Sequence, residues 1–492
     1  MARKSTLRQV AALSSSSFVL RAMGMAFRIY LGQRMGTAGL GLNQLVMSVY
    51  MFATLICSQG LSSAVLRLCA KRPSCAKAIA LRASRMAALL GLALGAAMFF
   101  GALPLSRGPL EAESLIPLRL LAPALPLTAV SSCLRGYFLS QSQASKVTAC
   151  QFLEQIFRIL LAILLLESHR GADVYTLCCL QLLAMTIGEL VSLACYALFF
   201  LRAPKDGASP PPGVSGKLCR VALPILLATL VQSGMQTVEN LLIPPLLRLS
   251  GSKSALEEYG LLSGMVMPVL FFPAAIPSAI LTVQLPAAVR LTAQGKKDSL
   301  RAHLRKSLGV SIGFSLFCAA LFCGLAQPLM QTLYHNEDAG SLLFLLAPLL
   351  PALYLDRLAD GLLKSLGRQR AALWMELGDS LLRLGLLFVL VPRLGLHGLL
   401  VITAISACAG CLCRMKCLLR TCGCGKGALL RSALCCTPSV LGGAAALLVC
   451  LLCSSLPLPA YAAGLLGLTA GSLSFFLLYC LGFLLARGRT CA

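Results

Sequence analysis

The chain has 492 residues, 58% of them hydrophobic and 12% charged, with a formal net charge of +26 and a mean hydropathy of +0.83. A soluble globule would be nearer half apolar and a quarter charged, so the composition excludes one and defines an all-α polytopic membrane protein. The positive charge does not signal nucleic acid, because no basic face falls on a soluble domain.

A spanning helix needs roughly 20 mostly apolar residues. In chain order the candidates are 8–31, 40–66, 84–105, 117–139, 148–167, 174–201, 219–247, 259–285, 307–330, 342–363, 371–392, 396–413, 433–455 and 460–486, about fourteen transmembrane helices in all. The first stretch carries Arg21 and Arg28 and has no small-residue cleavage site, so it reads as a retained helix and not as a signal peptide. With a cytoplasmic N-terminus, roughly 31 of the 43 basic residues fall on the cytoplasmic side and about 7 outside, the bias of the positive-inside rule. Both termini are then cytoplasmic, the basic loops include 286–306 and 414–431, and the excess charge faces anionic membrane lipids. The outer loops are short and hold no catalytic domain, so no enzyme is expected.

The chain also repeats itself. LLAPALP at 120–126 returns as LLAPLLP at 345–351. The same register carries Gly136 to Gly361, Glu154 to Asp379 and Arg158 to Arg383. Six spans separate the copies, which makes them parallel repeats about an axis along the membrane normal. The expected architecture is two pseudo-symmetric six-helix lobes plus two C-terminal helices: an N-lobe over 1–204, a Pro- and Gly-rich cytoplasmic linker over 205–217, a C-lobe over 218–415, and the last two spans with the tail over 416–492. Function is expected between the lobes. The paired prolines Pro123 and Pro126, Pro348 and Pro351 each delete a helical hydrogen bond and suit hinged bending.

Charges inside apolar spans cost roughly 2.5 to 3.5 kcal/mol each at a helix centre, so they must face protein or water. Arg21 and Arg28 are two turns apart on one helix face. Either they line a cavity and bind phosphate, for which guanidinium geometry is suited, or they pair with acids of neighbouring helices or snorkel to an interface. Glu154 with Arg158, and Asp379 with Arg383, are spaced to form structural ion pairs within their own helices. Arg135 of the first copy is replaced by Asp360 in the second and Ser131 by Asp356, so the first lobe is cationic inside and the second comparatively anionic. Substrate binding is therefore expected at Arg21, Arg28 and Arg135, and a coupling cation, H⁺ or Na⁺, at Glu239, Glu376 or Asp379. Glu239 pairing with a neighbouring arginine is the alternative.

Most of the 23 cysteines sit singly in apolar spans as small hydrophobes. Cys411, Cys413, Cys417, Cys422 and Cys424 cluster in a predicted basic loop, but their spacing matches no strong zinc pattern and no histidine is near. No metal and no cofactor are expected, and no phosphate loop or catalytic triad is present.

The segments FVLRAMGMAFRIYLGQRMGTAGLGLNQ, LRLLAPALPLTAVSSCLRGYFLSQ, FLEQIFRI and VENLLIPPLLRL resemble the polysaccharide-biosynthesis and stage V sporulation protein B branch of the multidrug, oligosaccharidyl-lipid and polysaccharide exporter superfamily, which is related to lipid II flippases. The resemblance implies a fourteen-helix flippase in the bacterial plasma membrane. Its substrate would be an undecaprenyl-linked oligosaccharide or peptidoglycan precursor, a lipid-linked sugar pyrophosphate, moved by alternating access. It further implies that Arg21 and Arg28 contact the pyrophosphate, while Glu239 and Asp379 match acidic cation-site positions. The arginines that lipid II flippases carry in helices two and eight have no counterpart at mid-depth. Two other readings are a cation-coupled multidrug antiporter of the same fold and a non-transporting scaffold for envelope or spore-coat assembly.

Overall fold

The computed structural model describes residues 2–107, 110, 112–204 and 213–422, with the side chains of 2–16 left aside. Predicted spans thirteen and fourteen, most of the linker and Cys424 lie outside the described residues.

The described chain is helical almost throughout. It runs as α1 (Ala2–Lys71), α2 (Ala76–Arg107), α3 (Leu115–Leu121), α4 (Ala124–Ser140), α5 (Ala144–Ser168), α6 (Val174–Leu201), α7 (Val214–Leu249), α8 (Ala255–Tyr259), α9 (Met267–Phe271), α10 (Ala275–Ala293), α11 (Lys297–Tyr334), α12 (Glu337–Leu346), α13 (Leu350–Ser365), α14 (Gln369–Leu394) and α15 (Leu396–Thr421). Ten helical stretches among the described residues are long and apolar enough to cross a membrane.

Where helices bend, the sequence gives the reason. The first two predicted spans merge into α1, which turns at Gly36 (φ 66°, ψ −168°), a backbone region essentially confined to glycine. The repeated prolines act alike in both copies. α3 ends and α4 begins around Pro123, and the matching break between α12 and α13 holds Pro348 in a short 3₁₀ turn. α6 opens at Asp173, whose carboxylate accepts a hydrogen bond from Thr176 Oγ1 at 2.6 Å and is thereby held below the usual carboxylate range. α12 is capped by Asn336, whose side chain accepts from the Ala339 N–H at 2.8 Å, with Glu337 and Asp338 in the first turn where the helix dipole favours acids.

Two compact units result. Among the described residues, one comprises the chain up to Arg248 with Lys253–Gly260, the other Leu249–Ser252 with residues 261–422. The division falls after α7 and not at the 205–217 linker, so α7 packs with the helices that precede it. One reason is a direct bond: Asn240 Nδ2 on α7 donates to Ser48 Oγ on α1 at 3.0 Å.

α15 runs past the predicted end of its span. The predicted span stopped at 413 and left Arg414 in a basic loop, together with the cysteine cluster. The helix instead continues to Thr421, and Arg414 is only 5% exposed, ion-paired with Asp356 of α13. A guanidinium this buried needs such a partner to offset its desolvation.

Candidate functional site

The first unit holds an open cavity of about 590 Å³ lined by α1, α5, α6 and α7. From α1 come Arg28, Asn43, Gln44 and Ser48, and from α5 Gln155 and Arg158. α6 contributes Gln181, and α7 presents Thr229, Gln232, Ser233, Gln236 and Asn240. The α7 residues recur at three- and four-residue intervals, which puts them on one face of the helix.

This wall holds two guanidiniums, a series of carboxamides and hydroxyls, and no carboxylate. Two of its acceptors, Asn43 Oδ1 and Gln181 Oε1, are buried without a hydrogen-bond partner. Polar groups of this kind inside apolar helices cost free energy unless water or a ligand satisfies them. Chemically, the arrangement suits an anion flanked by hydroxyl-bearing groups.

The expected site residues fall in several places. Arg28 lines the cavity. Arg21, two turns earlier on α1, is exposed and is not part of that wall. Arg135 on α4 is not part of it either. It lies among the charges around Glu189 of α6, a buried carboxyl that also faces Thr128, Glu154 and Arg158. Thr128 in turn shares a 3.0 Å hydrogen bond with Tyr50.

Glu154 and Arg158 lie 3.9 Å apart within α5. Glu154 accepts from Ser192 Oγ at 2.7 Å, and Arg158 also donates to Gln155 Oε1. Glu239 is buried on α7, in the first unit. Glu376 and Asp379 are both on α14, in the second. Lys364 Nζ lies 2.6 Å from Asp360 and 3.7 Å from Glu376, and Asp379 accepts from Ser406 Oγ at 2.6 Å. Among the described residues no group of three His, Cys, Asp or Glu could hold a metal ion.

Reasoning from buried charges alone does not find the carboxamide wall. Its signal is present all the same: Thr229, Gln232, Ser233, Gln236, Thr237 and Asn240 keep a helical period through an otherwise apolar stretch.

Apolar helices around a cationic, polar-walled cavity define a multi-pass membrane protein of transporter type. A family model for polysaccharide biosynthesis proteins matches residues 6–292, and the chain belongs to that family. It is 24% identical over 420 residues to stage V sporulation protein B of Bacillus subtilis (strain 168), covering 81% of this chain and 80% of that protein. It is 23% identical over 233 residues to sporulation protein YkvU of the same organism, covering 46% of this chain and 52% of that one. Among solved structures it is similar to the lipid II flippase MurJ in an inward closed conformation, with TM-score 0.74, 14% identity and coverage of 98% of this chain and 100% of that one. It is also similar to an inward-facing multidrug resistance MATE family transporter, with TM-score 0.63, 16% identity and coverage of 82% and 95%. At these identities the structural likeness establishes the shared fold.

Proposed function

We propose that the protein is a flippase that carries an undecaprenyl-linked oligosaccharide or peptidoglycan precursor across the bacterial plasma membrane by alternating access. The observation that carries this reading is the cavity of the first unit, where Arg28 stands in a wall of carboxamides and hydroxyls without a carboxylate. A guanidinium binds phosphate oxygens through paired N–H donors, and neutral amides hydrogen-bond sugar hydroxyls. The headgroup occupies the cavity while the polyprenyl tail stays in lipid. Kinship with stage V sporulation protein B and the fold of a lipid II flippase support the same substrate class. A multidrug antiporter for cationic drugs would need negative charge in this wall, which instead carries two arginines.

If transport is coupled to H⁺ or Na⁺, Glu239, Glu376 and Asp379 are the carboxylates we assign to it.

The test is rescue of bacterial cells depleted of their lipid II flippase, alongside translocation of fluorescent undecaprenyl-diphosphate sugars in proteoliposomes. Wild type is expected to translocate a lipid-linked diphosphate sugar, and Arg28→Ala at equal expression to lose most of that activity. Equal activity of the two would remove Arg28 from the mechanism. Translocation without rescue would move the substrate away from lipid II while keeping the flippase.

A further inference from the structure

Two contacts fix how α1 and α5 lie side by side. A methyl group at Gly24 would stand 3.7 Å from Gln155 Nε2. Further along both helices, Tyr30 OH donates to Glu167 Oε1 at 2.9 Å and Arg34 Nε to the same oxygen at 3.0 Å. Residue numbers rise together along the two helices, so they run parallel. Arg28 is four residues past Gly24 and Arg158 three past Gln155. Arg28 and Arg158 therefore stand on adjacent parallel helices, and both belong to the wall of the one cavity.

Arg158 is held for this position from behind. Glu154 is 3.9 Å away and is itself engaged by Ser192. A side chain at Gly188 of α6 would come within 3.1 Å of Arg158 Cβ, so the glycine leaves room for the arginine stem against α6. Across the cavity, α7 offers only neutral amides and hydroxyls. One side of the chamber is thus doubly cationic and the other neutral.

We infer that Arg158 acts with Arg28 as a two-guanidinium clamp for a diphosphate, and that the α7 face selects an uncharged sugar attached to it. This rests on the flippase reading above and deepens it: Arg158 joins Arg28 on the diphosphate, and the ring nearest the diphosphate carries neither carboxylate nor amine charge. Two phosphates offer oxygen acceptors to both guanidiniums, whereas one phosphate offers fewer acceptors to share between them. An anionic ring would face neutral amides that have no charge to offer it.

The test measures binding to the full chain in lipid nanodiscs. The probes are polyprenyl diphosphate N-acetylglucosamine, the same sugar on polyprenyl monophosphate, and polyprenyl diphosphate glucuronic acid. Wild type should bind the diphosphate probe at least about tenfold more tightly than the monophosphate, as expected for one added charge-assisted contact, and more tightly than the glucuronate. Arg158→Gln should abolish the preference for two phosphates. Arg158→Lys, which keeps the charge beside Glu154 but loses the planar fork, should fold as wild type and retain part of the preference.

The clamp is overturned if wild type binds the monophosphate as tightly as the diphosphate, or if Arg158→Lys and Arg158→Gln both bind like wild type. Glucuronate binding as tight as N-acetylglucosamine overturns the uncharged-sugar assignment. In each of these cases an Arg28→Gln loss of translocation would leave the flippase reading intact. Failure of wild type to bind any of the three lipids removes the flippase reading itself.

Discussion

Arg414 of α15 is ion-paired with Asp356 of α13, and a glycine makes the space for them: a methyl at Gly410 would lie 3.1 Å from Asp356 Oδ1 and 3.3 Å from Arg414 Nη1. The first unit uses the same device, with Gly188 of α6 accommodating Arg158 of α5. In each unit a helix late in the repeat gives up a side chain so that a charged group can be packed inside.

Removing one member of the Asp356–Arg414 pair leaves an uncompensated charge in an apolar surrounding. Asp356→Asn or Arg414→Gln alone should destabilise the protein by about 3 kcal/mol, and the double variant by clearly less than the sum. Chemical unfolding in detergent micelles measures this. Additive losses would mean that the two side chains are not coupled.

Gly36 sits where α1 turns, at φ 66° and ψ −168°. A methyl group there meets no neighbouring atom within 4 Å, so any cost of Gly36→Ala is backbone strain alone, roughly 1–3 kcal/mol. Gly378, inside α14 and also facing open space, is the control. Gly378→Ala should be neutral or mildly stabilising, since alanine is the better helix former. Thermal unfolding of the two variants side by side tests the contrast, and equal Tm values would show that the turn is not held at Gly36.

Much of this architecture was legible in the sequence because it rests on local chemistry. The repeat and its prolines marked where both hairpins break, Pro123 and Pro348 doing so at matching positions. The i,i+4 spacing put Glu154 beside Arg158 before any coordinates. What was not legible depends on packing across the chain. Arg414 lies near the end of an apolar run, and hydropathy assigns such an arginine to a loop. Only its pairing with Asp356, 58 residues earlier, explains its burial. The allegiance of α7 was hidden for a related reason: the Pro-rich stretch at 205–217 marks a break in the helices, which need not be a break in the packing. Of the predicted cavity arginines only Arg28 reached the wall, and Arg158, read as a structural partner of Glu154, joined it there.

Glu167 ties α5 to α1 and to the following turn. It accepts from Tyr30 and Arg34, and Arg170 Nε donates to its other oxygen at 2.6 Å. Glu167→Gln keeps the shape but removes the charge that holds two arginines. A lower Tm is expected, with the difference shrinking as salt is raised, because partly exposed ion pairs are screened. A Tm change that does not respond to salt would assign the effect to packing and not to charge.

Gly188→Ala probes the cavity without substituting any residue of its wall. The added methyl would come within 3.1 Å of Arg158 Cβ, closer than an ordinary van der Waals contact, so either α5 shifts or the arginine swings. Both move one guanidinium of the cavity while leaving Arg28, the carboxamides and the net charge unchanged. Geometry matters more than charge in a bidentate contact, so binding of polyprenyl diphosphate N-acetylglucosamine should weaken several-fold, with monophosphate binding nearly unaffected. Circular dichroism and Tm close to wild type would confirm that the fold persists. Equal weakening of both lipids would instead mean that the methyl group deforms the whole chamber, and that the effect does not pass through Arg158.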